Sequence, residues 1–142
     1  MQPNSEKKKF VINQEGFTII PHELFEILIG SNIPLDCIRL ILIVYRFSVG
    51  YHLKSVYLNS AELVALSQCD RHRIPRMINW LIQFNILNGG PAKLDAMKRV
   101  IAYELSVNLQ FKTWDISFSS NNRTMLIEMH KRAKVIMANQ GP

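Results

Sequence analysis

Apolar residues recur at helical spacing in five stretches of the chain and alternate at strand spacing in one. Pro21 suits a first helical turn, and Leu24, Phe25, Leu28 and Ile29 keep helical spacing up to Gly30, which predicts a short helix. Pro34 opens a second helix in the same way. From Leu35 to about Phe47 its apolar residues nearly encircle the axis, interrupted mainly by Arg39 and Arg46, as expected of the buried centre of a fold, and Gly50 ends it. Val56-Tyr57-Leu58 favours a short strand and runs into Asn59-Ser60-Ala61-Glu62, a capping-box start for a helix from Ser60 to about Leu66. Beyond Ser67-Gln68, Asp70 is placed to cap a helix reaching about Phe84, with Ile74, Met77, Ile78, Leu81 and Ile82 on one stripe. Ile86-Leu87-Asn88, a loop at Gly89-Gly90-Pro91 and the alternation of Ile101, Tyr103, Leu105 and Val107 predict a hairpin whose turn uses the glycines. A last helix, from about Arg123 to Met137, carries Met125, Met129, Ala133 and Ile136 on one side.

Helix, helix, short strand, helix, three- or four-residue turn, helix, strand, loop, strand, helix is the order of a winged helix-turn-helix, mainly α with a small β-hairpin. The expected organisation is a flexible basic tail over residues 1–14, marked by Lys7, Lys8 and Lys9, then a winged-helix domain over 15–118 and a C-terminal helical element over 119–142. That element is a dimerisation or linker segment on this reading, because its apolar side lacks an evident cover. A homodimer is therefore expected.

Charge sharpens the picture. Of the net +6, +4 falls in the thirty residues from Asp70 to Arg99, where Arg71, Arg73, Arg76, Lys93, Lys98 and Arg99 face only Asp70 and Asp95. In a helix-turn-helix the second helix enters the major groove, the one groove that admits a helix and displays a distinct pattern for every base pair. Arg71, His72, Arg73 and Arg76 occupy its first turns, while Asn79 and Gln83 continue the polar side at spacings of three and four. Arginine donates two parallel bonds to guanine, and Asn79 or Gln83 could do so to adenine, whereas Arg73 is as well placed for a phosphate. Lys93, Lys98 and Arg99 fall in the hairpin, where a wing lays basic groups on phosphates. A polar helix face can be simply solvated, but solvation does not require three arginines within six residues directly after a two-helix turn. Trp80, near the polar edge of the stripe, reads as a packing or dimer-contact residue. Pro75, five positions past Asp70, implies a recognition helix that starts late or is kinked.

Other classes find little support. A 48% hydrophobic, 20% charged chain of 142 residues is an ordinary single globular domain. Its longest wholly apolar run, Leu40 to Tyr45, is far too short for a membrane span, and with no opening signal segment the expected location is the cytoplasm of a bacterial or phage-infected host cell. Cys37 and Cys69 match neither a zinc pair nor a disulfide framework and are expected as buried free thiols. His22, His52, His72 and His130 are scattered singly, so no metal site and no cofactor is expected. Asp36, Glu104 and Asp115 fall in different elements without a partner histidine, and an enzyme is not expected.

The stretch Glu15-Gly16-Phe17-Thr18-Ile19-Ile20-Pro21-His22-Glu23-Leu24 resembles the opening of the N-terminal domain of the phage replication protein O family. The resemblance continues through Arg46-Phe47-Ser48-Val49-Gly50-Tyr51-His52-Leu53-Lys54, Leu58-Asn59-Ser60-Ala61-Glu62-Leu63 and the segment from Cys69 to Leu87, and covers roughly residues 14 to 110. It implies a winged helix that binds repeated origin sites in double-stranded DNA as a dimer and works with replication proteins such as a helicase loader. In the family a helicase-recruiting region follows, so a chain stopping at Pro142 is expected to be either a truncated form or a short relative. A transcriptional regulator of a phage or mobile element that kept only the DNA-binding half shares every residue named here. A winged helix that binds a partner protein is the third reading, and the arginine-rich second helix argues against it.

Overall fold

A computed structural model describes residues 16–140. The basic tail with Lys7, Lys8 and Lys9 lies outside these residues. Five α-helices and a small three-stranded antiparallel sheet make up the fold among the described residues: α1 His22–Gly30, α2 Leu35–Ser48, β1 Val56–Asn59, α3 Ser60–Ser67, α4 Arg73–Gln83, β2 Leu87–Leu94, β3 Val100–Val107 and α5 Ser120–Gln140. This order is consistent with the expected winged helix-turn-helix.

The centre is α2, as its nearly continuous apolar surface requires. Cys37, Leu40, Ile41, Ile43, Val44 and Tyr45 are all buried in it, and they share one cluster with Leu24 of α1, Leu63 of α3, the α4 stripe and Leu87, Tyr103 and Leu105 of the sheet. Cys37 and Cys69 are buried free thiols, and burial raises the Cys37 pKa above the ordinary thiol value. The start of α3 is the predicted capping box: Asn59 Oδ1 accepts from the Glu62 N–H at 2.8 Å, and Glu62 Oε1 accepts from the Asn59 N–H at 2.9 Å. In α1 the buried positions are Leu24, Ile27 and Gly30. Phe25 and Ile29, expected on the apolar face, are exposed, because that face is narrower than its apolar spacing suggests.

β3 is the middle strand, with the order β1-β3-β2, pairing Val56 with Leu105 on one side and Leu87 with Val107 on the other. The hairpin differs from expectation in where it turns. Gly89, Gly90 and Pro91 lie inside β2 rather than in the loop. Gly89 is at φ 111, and a Cβ there would stand 2.1 Å from the Glu104 carbonyl oxygen. The glycine therefore serves a close approach between strands, not a turn. The turn lies further on, at Asp95 to Arg99, with Lys98 in the left-handed region at φ 62. It is closed by the Lys98 N–H to the Asp95 carbonyl and the Asp95 N–H to the Arg99 carbonyl, each at 2.9 Å.

The last helix is longer than predicted and less engaged. None of its 21 residues is buried. Near its start Asn122 Nδ2 donates to the Gly30 carbonyl at 3.0 Å, and Leu126, half-buried, reaches toward the space that Gly30 leaves open. His130 Nε2 lies 3.1 Å from Glu26. Met125, Met129 and Ile136, expected as one apolar side, remain exposed. No helix among the described residues is long and apolar enough to cross a membrane.

Candidate nucleic-acid interface

The two helices expected to form the helix-turn-helix are α3 and α4. Gln68 ends α3 in the left-handed region, its N–H bonded to the Val64 carbonyl. Arg39, which looked like a mere interruption of α2, donates from Nη1 to the Ser67 carbonyl at 3.1 Å and to Gln68 Oε1 at 3.4 Å. It thereby satisfies a carbonyl that the end of α3 leaves without a helical partner. Asp70 does not cap α4 directly. Its side chain accepts from the His72 N–H and its carbonyl from the Arg73 N–H, both at 2.9 Å, closing a turn before α4 begins at Arg73. Pro75 explains this late start. As the third residue of α4 it lacks an N–H that would have no helical partner anyway, whereas a helix begun at Arg71 would have needed that N–H for a bond. The helix starts late and Pro75 is accommodated in its first turn.

From Arg73 onward four residues of the predicted stripe, Ile74, Met77, Ile78 and Leu81, are buried in the core, and the fifth, Ile82, is half-buried. Arg71 and His72 sit in the preceding turn, Arg76, Asn79 and Gln83 on the helix, and all five are exposed. Arg73 is exposed as well but engaged, its Nη2 2.8 Å from Asp36 Oδ2 at the start of α2. Trp80 is half-buried with its ring 4.4 Å from that of Phe84, a packing role.

Two depressions flank α4 and divide its basic residues. A cleft of about 480 Å³ between the turn and the hairpin is lined by Arg71, His72, Ile74 and Pro75 on one side and Asp95, Arg99 and Tyr103 on the other. A groove of about 360 Å³ against α2 is lined by Pro34, Cys37, Arg73, Arg76, Met77 and Trp80. The fold thus brings Arg71 and His72 to Arg99, and Arg73 to Arg76. Lys93 is exposed on β2 and Lys98 at the hairpin tip, and neither lines these depressions.

Asp95 organises the tip: Oδ1 accepts from the N–H groups of Met97 and Arg99, and Oδ2 from Arg99 Nε at 3.1 Å. The Arg99 N–H, ahead of the other contacts, holds the Asp95 carboxyl below the ordinary carboxylate range. Asp36, Arg39 and Asp95 are the site residues that sequence reasoning missed. Asp95 carried a local signal, an arginine four positions on, whereas Asp36 and Arg39 act across the fold on residues 28 or more positions away. No group of three histidine, cysteine or carboxylate side chains able to hold a metal occurs among the described residues.

The family model described as bacteriophage replication protein O matches residues 10–103, well over half of the chain. The chain belongs to the bacteriophage replication protein O family. No curated protein and no solved structure matches it. The family match runs from before α1 into β3, so it takes in α2, α3, α4 and the hairpin turn and leaves α5 outside. Membership ties the chain to phage DNA replication.

Proposed function

We propose that the chain binds double-stranded DNA as a winged helix-turn-helix and recognises a replication origin. The observation that carries this reading is the cleft in which Arg71 and His72, from the turn before α4, meet Arg99, from the hairpin. A single phosphate strand following that cleft would touch both elements, while Arg76, Asn79 and Gln83 stay on the open side of α4 for base edges. Arg73, paired with Asp36, is a positioning or phosphate contact rather than a base reader. Lys93 and Lys98 extend the basic edge along the wing. No catalytic chemistry is part of this reading.

The protein acts as a homodimer, because one short helix-turn-helix covers little duplex and α5 presents an uncovered apolar side. Replication proteins such as a helicase loader are its further partners. Family membership favours an initiator over a transcriptional regulator with the same contacts, and the arrangement of sites separates the two. Genomic fragments of the source selected on the purified protein should contain several closely spaced copies of one short inverted repeat. The triple Arg71→Ala, Arg73→Ala, Arg76→Ala variant should select none. With on the order of six phosphates neutralised, wild-type binding should show a log-log salt slope of about −5. A lone palindrome across a promoter would replace the initiator by a regulator. Unchanged affinity of the triple variant would remove α4 from the interface.

A further inference from the structure

The far end of α2 gathers a second basic surface of different chemistry. No acidic residue occurs in the 25 residues from Cys37 to Ala61, which contain Arg39, Arg46, His52 and Lys54. Arg39 is committed to the turn after α3, and the other three lie at or just beyond the C-terminal end of α2, all exposed. The Arg46 guanidinium carbon lies 4.9 Å from the Tyr51 ring centroid and 5.7 Å from that of Phe47. The two rings are stacked within 12° of parallel at 6.3 Å. Gly50 makes room for this arrangement, since a Cβ there would stand 2.8 Å from Arg46 Nη1 and 3.0 Å from Thr18 Oγ1. Beside Thr18, Phe17 is 79% exposed, and Tyr51 is 56% exposed. Glu104 of β3 accepts from the Ser55 hydroxyl at 2.7 Å. Phe17, Phe47 and Tyr51 take no part in the core cluster.

We propose that this surface, built on Arg46, Phe47 and Tyr51 with Phe17, His52 and Lys54 around them, is a binding site for single-stranded DNA. Flat aromatic faces beside a planar cation suit a ligand that offers flat π-faces joined by phosphates. A duplex hides those faces within its own stack, and an acidic peptide would meet the charges but leave the rings unused. The site is separate from the proposed duplex interface. Asp36, which holds Arg73, and Phe47 are eleven positions apart on α2, about 16 Å at 1.5 Å per residue. In a protein of phage replication, a duplex-holding face and a strand-holding face at opposite ends of one helix would keep a parted strand close to its origin.

The test is fluorescence anisotropy of the full chain with a labelled oligothymidylate of about 15 nucleotides. An abasic phosphodiester of equal length and a polyglutamate peptide serve as competitors. The oligonucleotide should bind, and the abasic strand and the peptide should displace it poorly. Tyr51→Ala and Arg46→Ala should each weaken binding by roughly tenfold, while Tyr51→Phe, which keeps the ring, should retain it. Tyr51→Ala should leave duplex affinity unchanged, and the triple arginine variant of α4 should still bind the single strand. Tyr51→Phe and matched circular-dichroism melts separate loss of binding from loss of fold. Absence of binding, or equal competition by the abasic strand, would overturn the proposal. So would loss of single-strand binding in the α4 variant but not in Tyr51→Ala, which would assign the strand to the duplex interface. Displacement by polyglutamate that depends on Tyr51 would assign the surface to an acidic protein instead.

Discussion

α4 and α5 both combine apolar residues at helical spacing with a cluster of basic ones, yet they meet opposite fates. α4, eleven residues long, buries Ile74, Met77, Ile78 and Leu81. α5, 21 residues long, buries none. The difference lies in their surroundings. The turn after α3, held by Arg39, delivers α4 onto the central cluster. α5 starts at the rim beside Gly30 and Phe118 and has α1 as its neighbour. At 1.5 Å per residue α1 is about 13 Å long and α5 about 30 Å, so α1 is too short to cover it. Apolar spacing states that a face needs cover; it does not state what covers it. Beyond Asn122 and Leu126, which meet α1, the α5 residues Met129, Ala133, Ile136 and Gln140 alternate by four and three, the spacing of a coiled-coil seam, which suits a second copy of the same helix.

The sharpest way to break this comparison is to make one change in each helix. Ile78→Ala empties a fully buried position and should cost about 3 kcal/mol of unfolding free energy in a urea titration. Met129→Ala, on the exposed seam, should cost less than about 0.5 kcal/mol. Equal costs would mean that α5 is as much a part of the core as α4. Removing α5 from Ser120 onward should come next in size. The remaining domain should sediment as a monomer and lose roughly tenfold in affinity for a duplex carrying two half-sites, with single half-site affinity kept. A shortened chain that still dimerises would move the interface elsewhere. The smallest effect concerns the charged side of α4. Asp36→Asn releases Arg73 from its ion pair, and duplex binding should tighten by about twofold to fivefold, with the salt slope steeper by about one. Weaker binding would show that Asp36 holds Arg73 in its working position.

What the sequence alone determined was whatever depends on residues close together in the chain. The order of elements, the capping box of Asn59 and Glu62, the buried stripe of α4 and the central place of α2 were all legible, because spacing and caps act within one or two turns. Pro75 even announced an irregular start for α4, although not which kind. Tertiary structure decided the rest, wherever a residue's role depends on a distant strand or helix. Gly89 suggested a turn, and only its pairing opposite Leu105, hard against the Glu104 carbonyl, shows that its missing side chain serves a close strand crossing. Arg73 looked free for DNA until the packing of α2 brought Asp36 to it. Arg46, Phe47 and Tyr51 were visible as residues but not as a stacked group, because the 3₁₀ turn at Val49–Tyr51 that folds them together follows the helix they share with the core. Helical spacing also marked the apolar side of α5 without indicating that α1 would be too short to bury it. Local chemistry sets what each segment prefers to become, whereas burial and pairing are relations between segments and exist only once the chain has closed on itself.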